Sequence, residues 1–151
     1  MISENFLSSV KKQKNSVVIY PNDLFDQRIQ EEMIRTDEYK SYFVYAEIYF
    51  DAIRKALPSD QEGKFWDAVF KSFATKGRGS DIIGMCENDE GIGIIMLDSK
   101  MDGWLRLVGR IKEFTKNSIS NIENPLSTIK AFVYPAYIDT ESPTPVQESL
   151  T

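Results

Sequence analysis

The chain has 151 residues, 42% hydrophobic and 27% charged, with one cysteine and no histidine. That size and balance fit one globular domain able to bury about two-thirds of its unfolded surface. The net charge of −5 argues against general nucleic-acid binding, which needs basic patches to neutralise phosphates. Without histidine there is no Ser-His-Asp or Cys-His arrangement, and the commonest zinc ligand is missing. A lone Cys86 cannot build a disulfide framework. No apolar run approaches the roughly 20 residues of a membrane span, and the N-terminus lacks the basic-then-apolar order of a secretory signal. A cytoplasmic location without membrane insertion is the expectation.

In chain order, residues 2–13 read as a short helix, whose basic cluster Lys11, Lys12 and Lys14 is a solvated helix end. The run "SVVIYP" at 16–21 is apolar and stopped by proline, as in a short strand. Asn22 or Asp23 is placed to cap a helix running to about Tyr39. "YFVYAEIYF", 42–50, is rich in aromatic and β-branched residues and predicts a buried strand. A helix over about 50–57 follows, then the breaker "LPSD". Phe65, Trp66, Val69, Phe70 and Phe73 share one helical face, so 61–75 is an amphipathic helix that "KGRGSD" ends with glycine.

"DIIGMC" and "GIGIIML" flank the acidic turn "ENDE", which predicts a hairpin. Met101, Trp104, Leu105, Val108 and Ile111 mark a further amphipathic helix to about Lys116, with Trp66 and Trp104 read as core. "STIKAFVYPAYI", 127–138, predicts a last strand with Pro135 near its end. The polar, proline-containing stretch 139–151 has no means of burying a core and reads as a disordered tail, although a short partner-binding segment is the alternative. The order implies an α/β (α+β) sandwich: a mixed central sheet flanked by helices. The division expected is a lead-in over 1–21, a domain over 22–138 and the tail.

Two parts of the hairpin region can carry chemistry. Glu87, Asp89 and Glu90 put three carboxylates in four residues, which can hold Mg²⁺ against phosphates or simply be solvated in an exposed turn. Just upstream, Arg78 and Asp81 supply a planar guanidinium fork and a carboxylate. These suit a phosphate or a guanine edge, and equally suit a local ion pair closing the preceding helix. Cys86, in an apolar strand context, reads as packing.

From about Ile29 to Tyr137 the chain resembles a GGDEF domain, the diguanylate cyclase family. The resemblance is carried by the hairpin "IIGMCENDEGIGIIML", by "RGSD" five residues before the turn, by "LDSKMDGWLRLVGRIKEF", and by "RIQEEMIRTDEYKSYFVYAEIYFDAI". It implies a nucleotidyl-cyclase-like sheet. It also implies a signature turn at Glu87, Asn88, Asp89, Glu90 and Gly91, where both family glycines and the terminal phenylalanine are replaced. A register shifted by one, Asn88 to Ile92, leaves a carboxylate at only one of the two acidic positions. Where the family ends its first strand with Asp-x-Asp-x-Phe, this chain has Ala46-Glu47-Ile48-Tyr49-Phe50, so the metal-binding aspartate is Ala46. Glu47, the neighbouring carboxylate, should face the opposite side. Arg54 and Lys55 stand where the family's Asn-Asp pair reads guanine. Two-metal phosphoryl transfer needs carboxylates from both strands, so the resemblance implies a catalytically inactive domain with no metal and no required cofactor.

The family's inhibitory-site motif R-x-x-D is matched by Arg78 and Asp81. A further arginine on the next helix falls at Arg110, with Arg106 one turn earlier as the other candidate. The resemblance therefore implies a cyclic di-GMP receptor that signals through a protein partner in a bacterial pathway and that could form a homodimer. The alternatives are a nucleotide-independent interaction domain and a residual diguanylate cyclase.

Overall fold

The structure, a computed structural model, describes residues 2–13, 18–76 and 81–135, and only the backbone of 74–76. Its elements run α1 (Glu4–Gln13), β1 (Ile19–Tyr20), α2 (Asn22–Tyr39), β2 (Phe43–Tyr49), α3 (Phe50–Ala56), α4 (Ser59–Lys76), β3 (Asp81–Met85), a 3₁₀ turn (Glu87–Asp89), β4 (Gly91–Leu97), α5 (Met101–Thr115), α6 (Glu123–Leu126) and β5 (Lys130–Tyr134). The five strands form one mixed sheet in the order β1-β3-β4-β2-β5, in which β1 is parallel to β3 and the other pairings are antiparallel. This is the expected α/β sandwich. No helix of the described residues is long and apolar enough to cross a membrane.

Alternation along the strands divides the sheet into two apolar faces. Val44, Ala46, Ile48, Ile92, Ile94 and Met96 point to one, under α1, α4 and α5, where Phe6, Phe50, Phe65, Trp66 and Phe70 fill the main core. Trp66 and Trp104 both lie there, as expected. Phe43, Tyr45, Ile82, Ile95 and Phe132 point to the other face, which packs with Phe25 of α2.

The second face depends on two missing side chains. Gly84 and Gly93 are paired across β3 and β4, and a Cβ on either would meet the Phe25 ring, at 2.2 Å for Gly84 and 2.5 Å for Gly93. The paired glycines thus make a notch that seats the ring and brings α2 close to the sheet. The N-terminus of α2 is held by a different device from the one expected. Pro21 occupies the cap position without a side-chain bond, and Asn22 instead donates from Nδ2 to the Met85 carbonyl at 3.2 Å. Proline suits a helix start because its φ is already fixed.

The segment read as a lead-in is part of the domain's packing. Phe6 is 1% exposed, with ring centroids 4.9 Å from Phe50 and 5.0 Å from Trp66. The buried Glu62 carboxylate on α4 accepts from Ser3 Oγ at 2.5 Å, Asn5 Nδ2 at 3.1 Å and Trp66 Nε1 at 3.3 Å. Ser9 Oγ and Lys12 Nζ both reach Asp67. A buried carboxylate is tolerated only when so bonded. The short α6 was not read from the sequence: four residues give no helical period. Residues 139–151 and Lys14 lie outside the described residues.

Two stability outcomes follow. Phe6→Ala should cost about 3–5 kcal/mol in urea unfolding, as for a large core ring; a cost near zero would mean that α1 is not part of the folded core. Gly84→Ala should cost about 1–3 kcal/mol by overpacking, and combined with Phe25→Ala it should cost less than the sum of the two, because the truncated ring no longer meets the new methyl.

Candidate functional site

β3 and β4 are joined by the loop 87–90, closed by Cys86 N–H donating to the Gly91 carbonyl at 2.9 Å. Asn88 and Asp89 hold φ of 59° and 54°, the left-handed region that Asn and Asp adopt more readily than other non-glycine residues. Glu87, Asn88, Asp89 and Glu90 are all exposed. Gly91 opens β4 opposite Tyr49, and a Cβ there would lie 2.4 Å from the Ile48 carbonyl oxygen. The backbones approach too closely at this point for any side chain, which gives a local reason for glycine at the position where the resemblance expects phenylalanine. The Glu90 carbonyl accepts from Phe50 N–H at 3.0 Å, so the loop is tied to the start of α3.

Ala46 and Glu47 fall on opposite faces of β2. Ala46 is fully buried in the main core, between Ile94 of β4 and Ala131 of β5. Glu47, on the α2 side, accepts from the Tyr45 hydroxyl at 2.8 Å and the Tyr49 hydroxyl at 2.5 Å. Both phenols are held protonated well above the usual range, first by burial and then by the Glu47 carboxylate. Glu47 is therefore engaged within its own strand. Among the described residues no three carboxylate or thiol side chains converge on a point.

Arg78 lies outside the described residues. Asp81 is the first residue of β3, opposite Met96 and half-buried, with one carboxylate oxygen removed from solvent. Arg110 is half-buried on α5, and its Nε donates to the Ser72 carbonyl, near the end of α4, at 3.1 Å. The exposed Arg106, one turn earlier, pairs with Asp102 of its own helix at 3.1 Å. That contact holds the Asp102 carboxyl below its ordinary range. The structure thus sets Arg110 against the Ser72 carbonyl, one turn before the last residue of α4, whereas Arg106 pairs within its own helix.

Cys86 is buried at the base of the loop rather than within a strand, and burial together with the nearby Glu47 charge pushes its thiol up to about 12.

A groove of about 850 Å³ lies beside the loop, lined by Tyr49, Asp51, Arg54, Lys55, Glu90 and Asn124 among others. The resemblance had singled out Arg54, Lys55 and Glu90 one by one, but that they line one groove was not legible in the sequence, because its walls come from β2, α3, the loop and the stretch around α6.

No family model matches the sequence, and no curated protein matches it. The fold does match solved structures. One is the isolated GGDEF domain of the Pseudomonas aeruginosa protein TpbB (YfiN), at TM-score 0.54 and 14% identity over 81% of this chain and 75% of that one. Another is a DGC protein from Thermotoga maritima, at TM-score 0.52 and 14% identity over 83% of this chain and 95% of that one. The chain has the GGDEF, cyclase-like fold.

The thiol can be checked directly. Cys86 should resist iodoacetamide at pH 8 in the folded protein and react promptly in urea, since only the thiolate attacks. The unfolded thiol loses its proton near 9.0, whereas the folded one holds it to about 12, so its share of stability is full below pH 9 and is lost as pH rises through 12. Cys86→Ala should flatten the fall in stability over that window, read as urea midpoint against pH.

Proposed function

We propose that this domain is a catalytically inactive GGDEF-like receptor for cyclic di-GMP, bound through Arg78, Asp81 and Arg110, that passes the signal to a protein partner. The observation that carries the reading is the placement of Arg110. Its Nε bonds the Ser72 carbonyl, one turn before the last residue of α4, and the sequence "RGSD" joins that helix to Asp81 at the head of β3. The ligand is a dianion with two guanine faces, which matches two arginine forks and one carboxylate acceptor. Arg106, which the resemblance places second and which pairs with Asp102 on the exposed side of its own helix, is the lesser candidate.

The loss of catalysis rests on positions rather than on the fold. The place that the resemblance gives to a metal-binding aspartate is a core alanine, Ala46, and the nearby carboxylate Glu47 faces away and is bonded to two tyrosines. The positions assigned to guanine reading carry Arg54 and Lys55, which have no acceptor atoms.

Isothermal titration with cyclic di-GMP tests the receptor. The wild type should give saturable heat. Arg78→Ala and Arg110→Ala should each weaken binding about tenfold or more, the worth of one charge-assisted bond, while Arg106→Ala leaves it nearly unchanged. No heat at high micromolar ligand would overturn the receptor reading and favour a nucleotide-independent interaction domain, whose pull-down partners would ignore the nucleotide. Incubation with GTP and Mg²⁺ or Mn²⁺ should yield no cyclic di-GMP; accumulation of product would restore the cyclase.

A further inference from the structure

β5 lies at the edge of the sheet. Lys130–Tyr134 pairs with β2 along one side, and among the described residues no strand pairs with the other. An antiparallel strand turns the N–H and C=O of alternate residues away from its partner, so this side presents backbone donors and acceptors to a further strand. Edge strands are commonly protected by charges or proline within them. Here both stand at the ends: Lys130 is the first residue and Pro135 follows the last, with Ala131, Phe132 and Val133 between. Lys130, Phe132 and Tyr134 share the α2 side of the sheet. Lys130 is exposed, stands opposite Glu47 in the ladder, and holds its Nζ 5.9 Å from the centre of the Tyr49 ring. At the other end the Tyr134 hydroxyl lies 3.2 Å from each oxygen of the exposed Asp37 carboxylate and donates to it. Among the described residues neither Lys130 nor Asp37 forms an ion pair. The strand thus carries a cation at its first residue and a carboxylate beside its last, on one face.

Opposite charges at its two ends make this edge complementary to a copy of itself running the other way. In a two-fold pairing centred on Phe132, Lys130 of one copy lies opposite Tyr134 of the other, and Ala131 opposite Val133. This register maps each alternate set of residues onto itself, 130, 132 and 134 or 131 and 133. The outward-pointing backbone groups of one copy therefore meet those of the other. It also keeps both α2 helices on the same side of one continuous sheet. Side chains directly opposite one another have Cβ atoms about 4.5–5.5 Å apart. A lysine spans that gap, so Lys130 of each copy reaches the Asp37 carboxylate beside Tyr134 of the other. We propose that a second copy of this chain pairs antiparallel with β5, joined by two Lys130–Asp37 contacts. A parallel copy would set like charges together. A pairing of two five-residue strands falls below the ~1,200 Å² at which stable interfaces begin, so the dimer is weak and forms over the micromolar-to-millimolar range. It needs no nucleotide and uses none of Arg78, Asp81 and Arg110.

Sedimentation velocity of the full chain without nucleotide should show a coefficient that rises with concentration. Hydrogen exchange read by NMR should show β5 amides gaining protection over the same range. Lys130→Glu and Asp37→Lys each set like charges together twice per dimer, and each should weaken dimerisation about tenfold. The double variant Lys130→Glu/Asp37→Lys exchanges the charges and should return dimerisation to near the wild-type strength. Both positions are exposed, and an unaltered circular-dichroism melt confirms that each variant folds. The proposal is overturned if the chain stays monomeric at millimolar concentration. It is equally overturned if the single variants dimerise as the wild type does or the double variant does not recover, since the dimer then uses another surface. Protection of the β5 amides that is the same at every concentration would also overturn it, because the chain's own residues would then cover the edge.

Discussion

A seven-residue antiparallel ladder between β2 and β4, from Phe43 with Leu97 to Tyr49 with Gly91, fixes the geometry on which the rest depends. Its register decides which β2 side chains enter which core, since a slip of one residue would exchange the faces. Ala46 enters the main core and Glu47 the opposite side. At one end the ladder delivers Glu90 to the first residue of α3; at the other, Asp98 N–H bonds to the Tyr42 carbonyl at 3.0 Å and starts the path into α5. The loop, the groove and the arginines of α5 all hang from this pairing.

Around the ladder the two faces are closed by different means. The main face uses bulk, with Phe6, Phe50, Phe65, Trp66 and Phe70 packed edge to face and tilted beneath three helices. The other face uses the lack of bulk, since two paired glycines admit Phe25 and bring in α2. Polar side chains buried between the layers are bonded: Glu62 accepts from three donors, and Glu32, 2% exposed, is held by Arg28 at 2.7 Å. Such groups add direction to otherwise apolar contacts.

The electrostatics divide along the chain in the same way. The carboxylates of loop 87–90 face solvent, whereas Glu47 is shut into a tyrosine pair on the adjoining strand. Arg110 bonds the Ser72 carbonyl of α4, and Arg106 pairs with Asp102 on its own helix. Two arginines four residues apart on one helix thus meet unlike surroundings, which is why the proposed receptor site uses one of them and not the other.

Most of the fold was legible in the sequence, because hydrophobic period reports which face of an element is buried. The 61–75 face, the aromatic strand 42–50 and the hairpin were all read correctly in kind. The opposite facing of Ala46 and Glu47 also follows from strand alternation alone. What the sequence left open depends on neighbours distant in the chain. Asn22 had the right chemistry for a cap, yet its amide is drawn to Met85, sixty-three residues away. The resemblance ranked Arg110 ahead of Arg106, but the contact of Arg110 with the Ser72 carbonyl of α4 came only from the approach of the two helices. Gly84 and Gly93 look like weak points in strands until Phe25 is set upon them. The groove along α3 draws its walls from four separate stretches, and no local pattern announces a cavity. Local chemistry is written residue by residue; which groups meet is decided by strand register and helix packing.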